Sequence, residues 1–123
     1  MLVAELRRRF PDFVLIMQNA TSGATRAATV GGVPVASLLD GVSREEIYAP
    51  RFDREAEADL LGWKALGLPP NGHPFSITTE DYVGGCGQIA RARRVYARSR
   101  GRGFSPYATM SSANQDSVCY WPF

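Results

Sequence analysis

The chain has 123 residues, of which 45% are hydrophobic and 21% charged, enough for one domain (residues 1–123) with a modest core and too apolar for a disordered segment. With 14 basic against 12 acidic residues, the net charge of +2 gives no electrostatic reason to expect a nucleic acid or an anionic membrane as partner. No apolar run approaches the roughly 18–20 residues that cross a bilayer, and MLVAELRRRF lacks the basic, apolar, small-residue order of a signal peptide.

Leu2, Val3, Leu6 and Phe10 share one face of a predicted helix that Pro11 ends. FVLIMQN, residues 13–19, is a nearly unbroken apolar run that stops at Gln18 and Asn19, the pattern of a strand buried on both faces. TSGATRAATVGG, residues 21–32, reads as a long loop or weak helix, and residues 33–39 lead into DGVSREEIY, a strand ending on Glu45 and Glu46. DREAEADLLGWKALG follows as the clearest helix, with Asp53 as its N-cap, acids in the first turn and Gly67 at its close. FSITTEDYV, residues 75–83, is a β-branched and aromatic strand; QIARARRVYARSR is an amphipathic helix; a fourth strand is predicted near residues 104–110. Strands alternating with helices argue for parallel strands joined by right-handed crossovers, an α/β fold.

In such sheets chemistry gathers beyond the carboxyl ends of the strands. Those ends carry Gln18 and Asn19, then Glu45 and Glu46, then Asp81 and Tyr82, then Tyr107 and Thr109. Paired carboxylates are the apparatus of glycoside hydrolysis, and alternation sets Gly41, Ser43 and Glu45 on one face, with Glu45 inward and the small residues leaving room for substrate or packing. Each residue also has a structural reading. Glu45 and Glu46 could be solvated loop acids, Asp81 a cap, Gln18 and Asn19 turn residues, and Tyr48, Tyr82 and Tyr107 half-buried packing rather than sugar platforms.

His73, in NGHP, belongs to a turn on the side opposite the rim. Cys86 and Cys119 lack metal-ligand spacing, so no metal or cofactor is expected, and the sequence leaves open whether they pair. Arg91, Arg93, Arg94, Arg98, Arg100 and Arg102 raise a nucleic-acid alternative, against which stands the ordinary charged solvent face of an outer helix.

Taken in order, PDFVLIMQN, LLDGVSREEIYAP, FSITTEDYV and ARSRGRGFSPYAT resemble the endo-α-1,4-polygalactosaminidase family of glycoside hydrolases over roughly residues 8–110. The family pattern is a PDF…QN strand, a DGvgrE strand, a vDY strand and a GFvPYvt strand. The resemblance implies a (β/α)8 TIM barrel of which the chain carries the last four strands, with Met1 inside the helix before the fifth. It further implies an α-1,4-linked galactosamine-type polysaccharide or oligosaccharide as substrate and export of the intact protein. Glu45 carries over as one carboxylate of the catalytic pair, in an acid/base role, with Gln18, Asn19, Tyr48, Asp81, Tyr82 and Tyr107 around the sugar. The family's other catalytic acid, an Asp on an earlier strand, has no counterpart in the chain, so the isolated chain is expected to hydrolyse weakly or not at all. Ser43 stands where the family has Gly, and MSSANQDSVCYWPF departs from the family's continuation. The alternative is a small carbohydrate-binding α/β domain without catalysis, a homodimer through two exposed sheet edges.

Overall fold

The computed structural model describes residues 2–67, 74–111 and 118–123; His73 lies outside them. Helix α1 (Leu2–Arg9) is short, and on its exposed side Glu5 pairs with Arg8 and Arg9 at helical spacing. Strand β1 (Ile16–Gln18) is followed by α2 (Gly23–Ala27), whose N-cap Ser22 accepts from the Thr25 N–H. Strands β2 (Thr29–Val30) and β3 (Val33–Pro34) form an antiparallel hairpin, turned by Gly31 and Gly32 at φ of 58° and 81°. A 3₁₀ turn (Val35–Leu38) leads into β4 (Gly41–Glu45). Helix α3 (Arg54–Ala65) begins where Asp53 Oδ1 accepts the Ala56 N–H at 2.9 Å; then come β5 (Ser76–Tyr82), α4 (Ile89–Gly101) and β6 (Ser105–Thr109).

Four of these strands form one parallel sheet in the order β1-β4-β5-β6, with α3 against β4 and α4 against β6. Gly41 pairs with Ser76 and Glu45 with Glu80, while Glu80 in turn pairs with Tyr107. Strand alternation then sorts every side chain by parity. Val42, Ile77, Thr79, Asp81 and Ala108 fall on the helix-covered face, where all are buried. There they meet Leu60, Trp63, Ala92 and Val95 from α3 and α4. Trp63 is the largest of the fully buried residues; it stacks on Phe75 and donates its indole N–H to Thr21 O at 2.8 Å.

One local expectation changes and another is extended. The apolar run at residues 13–19 yields only three strand residues, and it lies at the sheet edge, with Phe13 57%, Val14 73% and Ile16 42% exposed. An edge strand lacks a neighbour to cover it, so composition alone overstated its burial. Residues 21–32, expected as a long loop or weak helix, do carry the short capped helix α2, and in addition they supply the β2 strand of a hairpin.

Cys86 and Cys119 form a disulfide, with Cα atoms 5.1 Å apart, that ties the turn before α4 to the C-terminal tail. Trp121 in that tail donates to Ala108 O on β6 at 2.8 Å, and Phe123 packs edge-on against Tyr96 with Arg93 over its ring. The β6 edge is therefore partly covered, where two bare edges were expected. Replacing Cys86 with Ser should lower unfolding free energy by about 2–4 kcal/mol. Denaturant melts with and without reductant check this: reductant should destabilise the native chain and leave the variant unchanged, with Trp121 fluorescence shifting red as the tail detaches.

Candidate functional site

The face of the sheet away from the helices is polar. From β4 it carries Gly41, Ser43 and Glu45; from β5 Ser76, Thr78, Glu80 and Tyr82; from β6 Ser105, Tyr107 and Thr109; of these only Gly41 and Thr109 are buried. All-parallel sheets ordinarily cover both faces with apolar residues, so a polar face marks a surface kept for contact with something other than core. Of the two uses expected of Gly41, room for substrate or for packing, the structure shows packing. A Cβ there would run into the Ser76 carbonyl and stand 2.8 Å from Ile16 Cδ1, so glycine serves close strand packing.

Glu45 is the centre of the open face at its carboxyl end. One carboxylate oxygen accepts from the Gln18 side-chain amide and the other from the Tyr82 hydroxyl at 3.2 Å. Its backbone N–H donates to Asn19 Oδ1 at 3.0 Å, and Arg44 donates to Asn19 O at 2.9 Å. Beside Glu45, in lateral register, stands Glu80, and on its far side Tyr107. The carboxyl of Glu80 is partly buried and accepts no hydrogen bond among the described residues. Burial pushes its pKa up, and the charges of Glu45 and Asp81 push it further.

Of the residues expected around a sugar, the structure gathers Glu45, Gln18, Tyr82 and Tyr107 on this face. Asn19 sits at its margin, in left-handed backbone (φ 60°), and uses its side chain to pin the end of β4. Tyr48 and Asp81 are placed elsewhere. Tyr48 is 8% exposed, with its hydroxyl donating to Glu57 Oε1 on α3 at 3.0 Å, and burial together with that carboxylate drives its pKa up. Arg102 completes the buried contact by donating to both Glu57 oxygens, at 3.0 and 3.1 Å. Asp81 is wholly buried on the helix side, where Oδ1 accepts the N–H groups of Tyr48 (2.6 Å) and Ala49 (2.9 Å) and Oδ2 has no partner. Neither residue can reach a ligand on the open face; both hold the loop after β4.

Glu80 is the residue the sequence reading passed over. The alternation that singled out Glu45 over Glu46, applied to SITTEDY, puts Glu80 rather than Asp81 on the site face. Glu46 itself leaves the strand in left-handed backbone (φ 57°), is exposed, and lines a separate cavity of ≈ 360 Å³ with Pro50, Phe52 and Arg54.

The arginines of the last helix and its C-terminal turn are largely engaged within the protein. Arg91 donates to Pro50 O, Arg98 lies 4.2 Å from the Phe52 ring centroid, Arg100 lies over Tyr96, and Arg102 holds Glu57. An apolar cleft of ≈ 780 Å³ lies at the opposite margin of the sheet, between α1 and β1, lined by Leu2, Leu6, Val14 and Ile16 among others. No helix among the described residues is long and apolar enough to cross a membrane. No protein-family model matches the chain, and no curated protein matches it.

Asp81 generates a test of this partition. Asp81→Ala strands two buried N–H groups, and at about 1–3 kcal/mol for each unsatisfied donor it should destabilise the fold strongly. Desolvation holds the Asp81 carboxyl above its ordinary pKa against the opposing backbone hydrogen bonds. Its stabilising contribution is therefore complete below the ordinary carboxylate range and is lost as pH rises through the raised value. Thermal melts across pH should show that loss in the native chain and a flatter profile in Asp81→Asn, which keeps the accepting oxygen.

Proposed function

We propose that the chain supplies four β/α units of a (β/α)8 barrel of glycoside hydrolase type, acting on an α-1,4-linked galactosamine-type polysaccharide, with Glu45 as a catalytic carboxylate. The observation that carries this reading is the setting of Glu45: at the carboxyl end of a parallel strand, on a polar face, with both oxygens engaged by Gln18 and Tyr82. The order and spacing of the four segments that resemble the polygalactosaminidase family support it independently. So does the apolar cleft beside β1, because a neighbouring β/α unit would bury Val14 and Ile16 there. The Cys86–Cys119 disulfide fits export to an oxidising compartment.

On this reading Gln18 and Tyr82 orient the Glu45 carboxyl, and Tyr82 and Tyr107 offer ring faces to a sugar. A second reading is carbohydrate binding without turnover, with a second copy of the chain pairing at β1. The exposed edge residues Phe13, Val14 and Ile16 favour it. Sedimentation of the purified chain separates the two arrangements, since only the second requires a stable dimer.

The functional test uses α-1,4-galactosamine oligomers, with binding followed by calorimetry and cleavage by release of reducing ends. The native chain should bind them and cleave slowly. Glu45→Gln should keep binding within a few-fold and lose any cleavage by about 10²–10⁴-fold, the usual contribution of a proton-transferring side chain. Absence of both binding and cleavage across oligomer lengths would sink the proposal.

A further inference from the structure

Glu45 and Glu80 are Cα partners on adjacent parallel strands, so their side chains leave the same face about 4.8 Å apart at the backbone. Carboxylates on in-register neighbouring positions of one face repel when both are ionised, and the Glu45 charge does favour the protonated form of Glu80; a cation or a shared proton relieves that repulsion. Among the described residues, the charged and titratable groups beside Glu80 in the register or acting on it are Glu45 from β4, the Tyr107 phenol from β6, Tyr82 on its own strand, and Asp81 through the sheet. None is a cation. Among the described residues neither glutamate is ion-paired: the arginines bridge Glu5, Asp40, Glu57 and Asp59 instead. Nor is the asymmetry between the two accidental. Glu45 has a donor on each oxygen, from Gln18 and Tyr82, whereas the Glu80 carboxyl has neither donor nor counter-charge among the described residues and is partly buried.

We propose that Glu45 and Glu80 form a carboxylate dyad that shares one proton, in which Glu80 is the positioning residue that keeps the proton available to Glu45 at the reaction centre. This rests on the glycosidase reading for its chemical use. Glu45 gives the proton to the glycosidic oxygen as the bond from that oxygen to the anomeric carbon breaks. The dyad regains a proton from the water whose oxygen ends on that carbon, so one water is consumed and neither glutamate is changed. Glu80 need not touch the sugar, because its role is to make loss of the proton from the pair unfavourable until the leaving oxygen takes it. A single carboxyl on a face open to solvent would lack this restraint. The direction of the Glu80 shift agrees, with burial and the Glu45 charge both favouring its protonated form.

The decisive measurement is a carboxyl-carbon NMR titration of the purified chain labelled at glutamate, which reads the dyad without any sugar. In the native protein Glu80 should titrate above the ordinary carboxylate range and its curve should follow that of Glu45. Glu45→Gln should move the Glu80 midpoint down, while Glu45→Asp, which keeps the charge, should leave it raised. A Glu80 midpoint unmoved by Glu45→Gln overturns the dyad. If Glu45→Gln fails to fold, Glu80→Gln gives the reciprocal test through the Glu45 curve: two coupled steps in the native chain collapse to one, and an unaltered Glu45 curve overturns the dyad equally. Where cleavage is measurable, Glu80→Gln should shift the alkaline limb of kcat/KM to lower pH with KM little changed, which a merely structural residue would not do. A chain that shows the coupled titration and no sugar binding or cleavage would keep the dyad and reject the glycosidase reading.

Discussion

The pairing of Gly41 with Ser76 fixes what the rest of the sheet can do. Because side chains alternate with a period of two, that register puts Ser43 beside Thr78 and Glu45 beside Glu80 on the open face, and Val42 beside Ile77 against the helices. A slip of β5 by one residue would drive Glu80 into the layer occupied by Trp63 and Leu60 and expel Ile77 to solvent. Close approach at this pair depends on Gly41 having no side chain, since an added methyl would meet backbone and Ile16 at once. The site and the core are thus two outcomes of one backbone alignment.

Two aspartates brace that alignment at opposite ends. Asp40, at the amino end, accepts from Arg7 at 2.5 Å and from the Leu15 N–H at 2.7 Å, while its own backbone bonds both β1 and β5 through Leu15 and Ser76. Its side chain and backbone together thereby tie α1, the residue before β1 and the start of β5 to the start of β4. Asp81, near the carboxyl end, gathers the N–H groups of the loop that follows β4. Buried carboxylates persist only with donors that replace water. Asp40 has the Arg7 guanidinium and the Leu15 N–H, and Asp81 has two backbone N–H groups on one oxygen, so removing either carboxyl would strand buried donors. DGVSREEIY therefore contains acids of two kinds: Asp40 builds the scaffold, and Glu45 is displayed by it.

The sequence disclosed the helices and the order of strands because those depend on local signals: Pro11 ending α1, Asp53 capping α3, Gly67 closing it. It also disclosed that polar residues converge at the strand ends. In TTEDY the choice of Asp81 left Glu80 aside, although alternation sets the two on opposite faces and the apolar Ile77, four residues before Asp81, marks the face of Asp81 as the covered one. Tyr48 was misplaced for a different reason. Beyond Glu46 the chain leaves the strand pattern, so alternation no longer governs where the ring goes, and Glu57, nine residues later on α3, captures its hydroxyl. The apolar edge run was misread because an exposed strand and a buried one have the same composition when the covering partner is not in view.

The two faces also divide the energetics. Apolar burial on the helix side, from Trp63, Leu60, Val42 and Ile77, supplies the stabilisation that lets the opposite face carry groups that repel each other. A like-charge pair such as Glu45 and Glu80 contributes nothing to folding and opposes it when both are ionised, which a sequence selected for stability alone would relieve by placing an arginine nearby. Arginine is not scarce here: Arg44 lies between Ser43 and Glu45 on the same strand. Its parity directs it to the other side of the sheet, and its guanidinium is drawn to Asn19 O at the rim rather than to either glutamate. Among the described residues the open face keeps its two acids without an ion-paired cation, as the proposed shared proton requires.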